Sequence, residues 1–224
     1  MIRCAIFDLD GTLVDTAEDL VEAMNAVAER LELPRLDPVE ARAAAGRGGR
    51  GLMRHAAAKV GREITDDQIL AAYPAFLDAY EARIDVASRY FPNVEAALDR
   101  FERDGWRIGI CTNKPERLTL KLLDRLGGRA RFGAILGADS LPVRKPDPRH
   151  LLETIERLGG AAERSVMFGD TETDRRAAAA AAVPCALYAA GFSPVPVAEL
   201  APEAIFEDFA ETPDLAARLI GETA

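Results

Sequence analysis

The N-terminal stretch places two carboxylates at the end of an apolar segment. Residues 2–7 are mostly apolar and run directly into Asp8 and Asp10, after which Gly11 lets the backbone turn sharply. Side chains two residues apart in a strand point to the same face, so the pattern predicts a buried strand with both carboxylates at its end. Two like charges held this close repel each other unless a cation or a shared proton intervenes. The stretch therefore favours a hard-cation site with one carboxylate free to react.

From residue 92 onward, helical and extended patterns alternate along the sequence. Helices are predicted at 94–103, 115–126, 148–158, 174–182 and 214–220, and strands at 106–112, 132–136, 165–168, 185–188 and 205–207. Such alternation predicts right-handed crossovers and a parallel sheet with helices on both faces. We therefore predict an α/β fold with a Rossmann-like parallel sheet, to which the first strand also belongs.

The segment between the first strand and residue 90 carries helical patterns and no convincing strand. Apolar residues recur at helical spacing through most of it. We therefore predict that residues 1–15 and 90–224 form the α/β core domain and that residues 16–89 form an inserted, all-helical cap domain.

Several local signals predict where the helices of this segment begin and end. Thr16 to Asp19 and Thr65 to Gln68 both have the spacing of a capping box. A short helix is expected over 39–45 and another over about 52–60. Pro74 is expected to kink or break the helix that follows Thr65.

Charge and cysteine content limit the classes of function. The formal net charge is −9, whereas general binding to nucleic acids or membrane surfaces needs a basic face. No apolar run is long enough to span a bilayer, and the N-terminus lacks the layout of a signal peptide, so we expect a cytoplasmic protein. Cys4, Cys111 and Cys185 are expected to be buried free thiols. His55 and His150 are expected to be surface or helix-face residues without a role.

Polar residues follow several of the predicted strands. Ligands of open parallel sheets bind beyond the carboxyl ends of the strands. The first strand ends at Asp8 and Asp10, the second at Thr112 and Asn113, and the fourth at Asp170, with Asp174 at the start of the next helix; Lys145 lies in a proline-rich loop. This combination of acids, hydroxyl or amide donors and one lysine suits a site that binds both a metal and an anion.

Phosphoryl transfer is the chemistry that uses these groups together. A phosphomonoester dianion repels an incoming carboxylate, so its charge must be neutralised and its geometry fixed. Mg²⁺ held by carboxylate oxygens is the usual solution, and Asp8 and Asp170 are the expected side-chain ligands. One carboxylate can then attack phosphorus and form an aspartyl-phosphate. A carboxyl group two residues away can protonate the leaving group and later activate water.

The motifs resemble, in order, the four motifs of the haloacid dehalogenase-like hydrolase superfamily. They are Asp-x-Asp-Gly-Thr at 8–12, Thr112, Lys145 within Lys-Pro-Asp-Pro, and Gly-Asp-x-x-x-Asp at 169–174. The resemblance implies that Asp8 is the nucleophile, Asp10 the general acid/base, Thr112 and Lys145 the phosphoryl-binding residues, and Asp170 and Asp174 metal ligands together with Asp8 and Asp10. Gly11, Thr12 and Asn113 are expected to contact the substrate.

The segment Gly46-Arg-Gly-Gly-Arg-Gly51 matches G-x-G-x-x-G but does not follow a strand, which excludes a dinucleotide fingerprint. We interpret it as a flexible glycine loop of the cap whose Arg47 and Arg50 can meet the substrate. This segment and the opening motif are similar to those of phosphoglycolate phosphatases, which implies that a cap arginine pairs with the glycolate carboxylate. The family often has glycine near position 182, where this chain has Ala182.

The leading hypothesis is a Mg²⁺-dependent phosphatase that acts on a small phosphomonoester, with 2-phosphoglycolate as first candidate, and that works as a monomer or homodimer. A phosphosugar mutase shares Asp8 and Asp10 and would return the phosphate to the sugar. A phospho-accepting switch module could use similar aspartate, threonine and lysine placement. Such a module would need neither a cap nor the proton transfer assigned to Asp10.

Overall fold

The computed structural model describes residues 2–222. Its strands are β1 (Arg3–Phe7), β2 (Val14–Asp15), β3 (Arg89–Tyr90), β4 (Trp106–Cys111), β5 (Ala134–Leu136), β6 (Ser165–Gly169), β7 (Cys185–Tyr188) and β8 (Ala204–Phe206). Its α-helices are α1 (Ala17–Ala28), α2 (Arg42–Ala45), α3 (Gly48–Lys59), α4 (Asp66–Ala82), α5 (Val94–Arg103), α6 (Glu116–Arg125), α7 (Pro148–Arg157), α8 (Glu172–Ala180) and α9 (Thr212–Leu219).

Six of the strands form one parallel sheet in the order β5-β4-β1-β6-β7-β8. Apolar clusters cover both faces. Phe7 packs against Phe101 and Phe168 on one face, whereas Ile6 belongs to a separate cluster with Leu151 on the other. Because β1 lies between β4 and β6 and is buried on both faces, it needs an almost continuous apolar sequence. The predicted α/β fold with a Rossmann-like parallel sheet is confirmed.

The register of the central strands brings the predicted site residues to one edge of the sheet. Phe7, the last residue of β1, pairs with Ile110 of β4 and with Phe168 of β6. The three strands therefore end at nearly the same height along the strand direction, and the residues that follow them lie side by side. This places Asp8, Thr112 and Asp170 close together although they are far apart in sequence.

Helices α1 to α4 lie between β2 and β3, as the sequence pattern predicted for this segment. The short strands β2 and β3 pair in antiparallel fashion, with Val14 opposite Tyr90 and Asp15 opposite Arg89. The chain thus leaves the sheet region and returns to it through two adjacent connections. The division into a core of residues 1–15 and 90–224 and a cap of residues 16–89 stays a prediction.

Some local predictions within this segment are wrong. Thr16 forms no capping bond, and its hydroxyl has no hydrogen-bond partner among residues 2–222. The Asp19 carboxylate, the other half of the expected box, accepts instead from Arg83, Ala87 and Ser88. Helix α4 continues through Pro74, so the helix is not broken there, and the alternative expectation of a kink stays a prediction. The helix expected over 39–45 is confined to Arg42–Ala45.

The glycine-rich segment is not a flexible loop. Helix α3 begins at Gly48 and includes Gly49, Arg50 and Gly51, so it starts four residues earlier than the sequence suggested. A Cβ at Gly49 would lie 2.3 Å from the Phe76 ring. Glycine is therefore required there by helix packing rather than by flexibility. The capping box predicted at Thr65 and Gln68 is confirmed.

None of the helices within residues 2–222 combines the length and apolarity needed to cross a bilayer.

Candidate active site

Three carboxylates converge at the carboxyl edge of the sheet. One oxygen from each of Asp8, Asp170 and Asp174 lies within 4.8 Å of the others. Asp8 follows β1, Asp170 follows β6, and Asp174 lies in the first turn of α8. The side chains of Asp170 and Asp174 are fully buried. The sheet topology thus assembles an acidic cluster from strand ends that are adjacent in space.

Lys145 provides a positive charge within this cluster. Its Nζ lies 2.6 Å from Asp174 Oδ1 and 3.1 Å from Asp8 Oδ2. Burial alone would lower the pKa of Lys145, but the carboxylates of Asp174 and Asp8 raise it above its usual value. Lys145 therefore stays protonated and holds a fixed charge beside Asp8.

The charge balance of the cluster is incomplete without a cation. Burial raises the pKa of Asp8 to about 6, although Lys145 opposes the effect. Burial, together with the carboxylates of Asp174 and Asp8, raises the pKa of Asp170 well above its usual value. No Lys or Arg within the described part of the chain forms an ion pair with Asp170. An all-oxygen donor set with unbalanced negative charge fits a hard divalent cation.

Hydrogen bonds hold the carboxylates of this cluster in place. Thr12 Oγ1 donates to Asp170 Oδ1 over 2.9 Å, and the Phe192 amide donates to Asp170 Oδ2 over 2.6 Å. Thr12 is fully buried, so the structure places it against the acidic cluster. Gly11 has φ +81°, and a Cβ there would lie 2.4 Å from Asp170 Oδ2. Only glycine accommodates both that conformation and that approach.

The second carboxylate of the opening motif lies outside this cluster. Lys114 Nζ is 2.9 and 3.1 Å from the two oxygens of Asp10, and it also contacts the hydroxyl of Tyr80 on α4. Lys114 is 5% exposed. Burial lowers the pKa of Lys114, and the neighbouring Asp10 counteracts this. Asp8 and Asp10 thus have separate cationic partners, which gives them different environments only two residues apart.

The residues that follow β4 complete the polar edge. Thr112 Oγ1 accepts from the Lys114 amide over 3.2 Å, and the Thr112 side chain also lowers the pKa of Asp8 by hydrogen bonding. Asn113 Nδ2 donates to the Lys145 carbonyl over 2.9 Å. This bond ties the loop that carries Lys145 to the end of β4.

A cavity of about 330 Å³ opens over this edge. Its sheet side is lined by Asp8, Asp10, Thr112, Asn113, Lys114 and Arg144, and its helical side by Gly46, Arg47, Arg50, Tyr73, Phe76 and Tyr80. Such a volume suits a small molecule. The structure therefore brings four of the predicted core residues, Asp8, Asp10, Thr112 and Asn113, and both predicted cap arginines to one cavity.

The comparison with known families decides the class of protein. A sequence model described as haloacid dehalogenase-like hydrolase matches residues 5–188, which span the acidic cluster and Lys145. The chain is a haloacid dehalogenase-like hydrolase. The resemblance predicted from the four sequence motifs is thereby confirmed, as is the assignment to an enzyme class.

Relatives within this hydrolase family match almost the whole chain. A phosphoglycolate phosphatase from Mesorhizobium japonicum is 42% identical over 216 residues, covering 96% of this chain and 95% of the relative. One from Agrobacterium fabrum is 39% identical over 221 residues, covering 98% and 95%. A crystal structure from Haemophilus somnus, described as a predicted phosphoglycolate phosphatase, superposes with a TM-score of 0.86 at 27% identity, covering 96% and 97%.

Sequence reasoning assigned no role to two basic residues of this hydrolase's cavity, Lys114 and Arg144. Lys114 lies two residues after Thr112 in Thr-Asn-Lys-Pro, and Arg144 directly precedes Lys145. Their positions close to the predicted site residues Thr112 and Lys145 could have indicated that they belong to the site. The ion-pair partner of Lys114 could not be deduced, because Asp10 lies 104 residues before it.

His150 is a buried helix-face residue and not a surface residue. Its Nε2 donates to the Gly137 carbonyl over 2.9 Å, and its Nδ1 lies 3.4 Å from Cys111 Sγ. Burial lowers the pKa of His150 and raises the pKa of Cys111 to about 12, so both groups are neutral near pH 7. All three cysteines are buried free thiols, as predicted.

Proposed function

We propose that this hydrolase is a Mg²⁺-dependent phosphatase of small phosphomonoesters, with 2-phosphoglycolate as the first candidate substrate. The observation that carries the proposal is the placement of Asp8 beside Lys145 and two further buried carboxylates, at the base of a small cavity. The relatives named phosphoglycolate phosphatase support the choice of substrate. We further propose that residues 16–89 act as a cap over the core formed by residues 1–15 and 90–224.

Asp8, Asp170 and Asp174 would hold the metal ion in this proposal. When bound, Mg²⁺ supplies positive charge that neutralises the phosphoryl group and the clustered carboxylates. Lys145 adds a second positive charge beside Asp8. The Thr112 hydroxyl and the Asn113 amide lie at the end of β4, where they can position the phosphoryl oxygens.

Asp8 acts as the nucleophile of the first step. Its pKa of about 6 leaves it largely ionised at neutral pH, so it can attack phosphorus. A bond forms between the Asp8 carboxylate and phosphorus, the ester P–O bond breaks, and Asp10 gives a proton to the leaving oxygen. In the second step Asp10 takes a proton from water, the resulting nucleophile attacks phosphorus, and inorganic phosphate leaves Asp8.

The helical side of the cavity is proposed to select the substrate. Arg47, Arg50 and Arg144 are exposed, line the same cavity and form no ion pair within residues 2–222. Guanidinium groups bind carboxylates through paired hydrogen bonds. A substrate that carries a carboxylate close to its phosphate, as 2-phosphoglycolate does, matches this arrangement.

The test is a phosphate-release assay on phosphomonoesters of two to six carbons, with and without a chelator. We expect 2-phosphoglycolate to have the highest kcat/KM and the chelator to abolish release. Asp8→Asn should abolish turnover of every substrate, whereas the matched control Asp67→Asn, an exposed residue of α4, should retain it. Release that persists in Asp8→Asn would overturn the mechanism. Conversion of a sugar phosphate to its isomer without phosphate release would instead identify a mutase.

A further inference from the structure

Phe192 contacts both the acidic cluster of Asp8, Asp170 and Asp174 and the helical segment, which is residues 16–89. It lies between β7 and β8, and its side chain is fully buried. Its amide donates to Asp170 Oδ2 over 2.6 Å, one of the two hydrogen bonds that this carboxylate accepts within residues 2–222. The position of the Phe192 backbone therefore determines where one Asp170 oxygen lies.

Phe192 is also in contact with the helical segment. The Arg42 guanidinium carbon of α2 lies 4.8 Å from the centre of the Phe192 ring, which is a cation–π distance. A Cβ at Gly46 would lie 2.7 Å from the Phe192 carbonyl oxygen, so the backbones of the two segments are in close contact. Arg42 is itself held by an ion pair with Asp15 at 2.8 Å.

On the sheet side, two glycines allow the close approach of the Phe192 ring and the Asp170 side chain. A Cβ at Gly11 would lie 2.8 Å from the Phe192 ring, and a Cβ at Gly191 would lie 2.3 Å from Asp170 Cβ. The ring is thus enclosed between the turn after Asp10 and the segment 42–46. It cannot shift without disturbing one of these contacts, since packed interiors have few voids.

We propose that Phe192 is a positioning residue that couples the packing of segment 42–46 to the orientation of the Asp170 carboxylate. The inference rests on the metal site of the proposed function. When segment 42–46 packs on Phe192, the ring and carbonyl fix the amide that holds Asp170. Such coupling is reciprocal: the packed segment strengthens metal binding, and the bound metal stabilises the packed segment to the same extent.

The first test measures Mg²⁺ affinity by titration calorimetry, which does not depend on turnover. Phe192→Leu keeps the amide but loses the ring, and we expect it to bind Mg²⁺ about tenfold more weakly, within the usual range of coupled sites. Arg42→Gln should weaken binding several-fold, and the double variant should be no weaker than Phe192→Leu alone. The control Arg35→Gln, another arginine of the helical segment, should bind as the unaltered protein does.

A second variant acts from the opposite side of the contact. Gly46→Ala removes no side chain and should also weaken Mg²⁺ binding, because its Cβ displaces the Phe192 carbonyl. Hydrogen exchange provides the reciprocal measurement: Mg²⁺ should slow amide exchange in segment 42–46 of the unaltered protein but not of Phe192→Leu. Circular dichroism spectra and melting curves establish that each variant is folded.

The possible outcomes separate this inference from the proposed function. If the unaltered protein fails to bind Mg²⁺, or if Asp170→Asn binds it equally well, the proposed metal site is wrong. If the unaltered protein binds Mg²⁺ but Phe192→Leu and Gly46→Ala bind it with the same affinity, the coupling is wrong while the metal site stands. Strictly additive effects of Arg42→Gln and Phe192→Leu would also overturn the coupling.

Discussion

Lys114 Nζ lies 2.9 and 3.1 Å from the two carboxylate oxygens of Asp10 and also contacts the Tyr80 hydroxyl. Lys114 belongs to the loop after β4, whereas Tyr80 belongs to α4 of the helical segment. Asp10, which we propose as the acid and base, is therefore held by Lys114. Lys114 in turn contacts Tyr80 of the helical segment. In the proposed mechanism, proton transfer at Asp10 depends on the arrangement of both parts of the chain.

Replacing Lys114 by methionine should lower kcat by about 10- to 100-fold. A hydrogen bond to a charged group contributes about 1.5–3 kcal/mol, and that contribution is lost when Asp10 has no cationic partner. Steady-state kinetics on 2-phosphoglycolate measure the effect. Lys121→Met removes a lysine that pairs with Glu81 instead, so it should leave kcat unchanged. Equal kcat values for Lys114→Met and the unaltered enzyme would exclude a role for the pair.

The sheet and its site edge could be predicted because their signals are local or follow from topology. Alternating helices and strands indicate a parallel sheet, and the carboxyl ends of neighbouring strands meet whatever the loops do. Asp8, Thr112 and Asp170 could be grouped on that basis. The capping box at Thr65 was also predictable, since both of its partners lie within one turn.

The predictions that failed depend on residues distant in sequence. Asp19 does not cap α1, because Arg83, Ala87 and Ser88 of the returning chain occupy its carboxylate. The glycine-rich segment is helical, and its Gly49 is required by the close approach of Phe76 on another helix. Nothing within either local pattern indicates these partners.

Asp170→Asn should change how stability depends on pH. Because the pKa of Asp170 is raised in the folded protein, its carboxyl group adds stability that is fully present below the ordinary pKa of about 3.9. That stability is lost as the pH rises through the raised value. Without metal, the melting temperature of the unaltered protein relative to Asp170→Asn should therefore fall as the pH rises above about 4.

Addition of Mg²⁺ should have the opposite effect on the unaltered protein. At about 100 times its Kd, a ligand stabilises by about 2.7 kcal/mol, or about 5–10 °C for a chain of this size. The increase should be larger at pH 8 than at pH 5, because protons compete with the cation for the carboxylates. It should be absent in Asp170→Asn. Equal stabilisation of both proteins would mean that the metal binds elsewhere.

Alanine replacements of Arg47, Arg50 and Arg144 should alter substrate preference. Each is expected to raise the KM for 2-phosphoglycolate about tenfold through loss of charge-assisted hydrogen bonds to the carboxylate. The KM for p-nitrophenyl phosphate, which has no carboxylate, should change little. Arg54→Ala, on α3 but paired with Asp66, serves as control.

The two substrates separate specific from general effects of these arginines. An equal rise in KM for both would indicate nonspecific attraction of anions rather than carboxylate recognition. Unchanged kinetics for a given variant would identify that arginine as a solvated surface residue.

Ala182→Gly should stabilise the protein. Ala182 is exposed and has φ +53°, a left-handed conformation that costs an L-residue about 1–2 kcal/mol. Glycine relieves this strain but loses about 0.5–1 kcal/mol of backbone entropy, so the net gain is about 0.5–1 kcal/mol. The melting temperature should rise by about 2 °C without a change in kcat.

The neighbouring residue provides a comparison for this last prediction. Ala181 is right-handed, with φ −87°, and its methyl group is buried in the apolar cluster that contains Leu151, so Ala181→Gly relieves no strain and loses both backbone entropy and apolar burial. Its melting temperature should fall by more than Ala182→Gly raises it, because about 0.8 kcal/mol of methyl burial is lost as well. Opposite shifts at two adjacent positions follow only if the backbone after α8 turns into the left-handed region at 182. A fall in melting temperature for both variants would contradict that conformation.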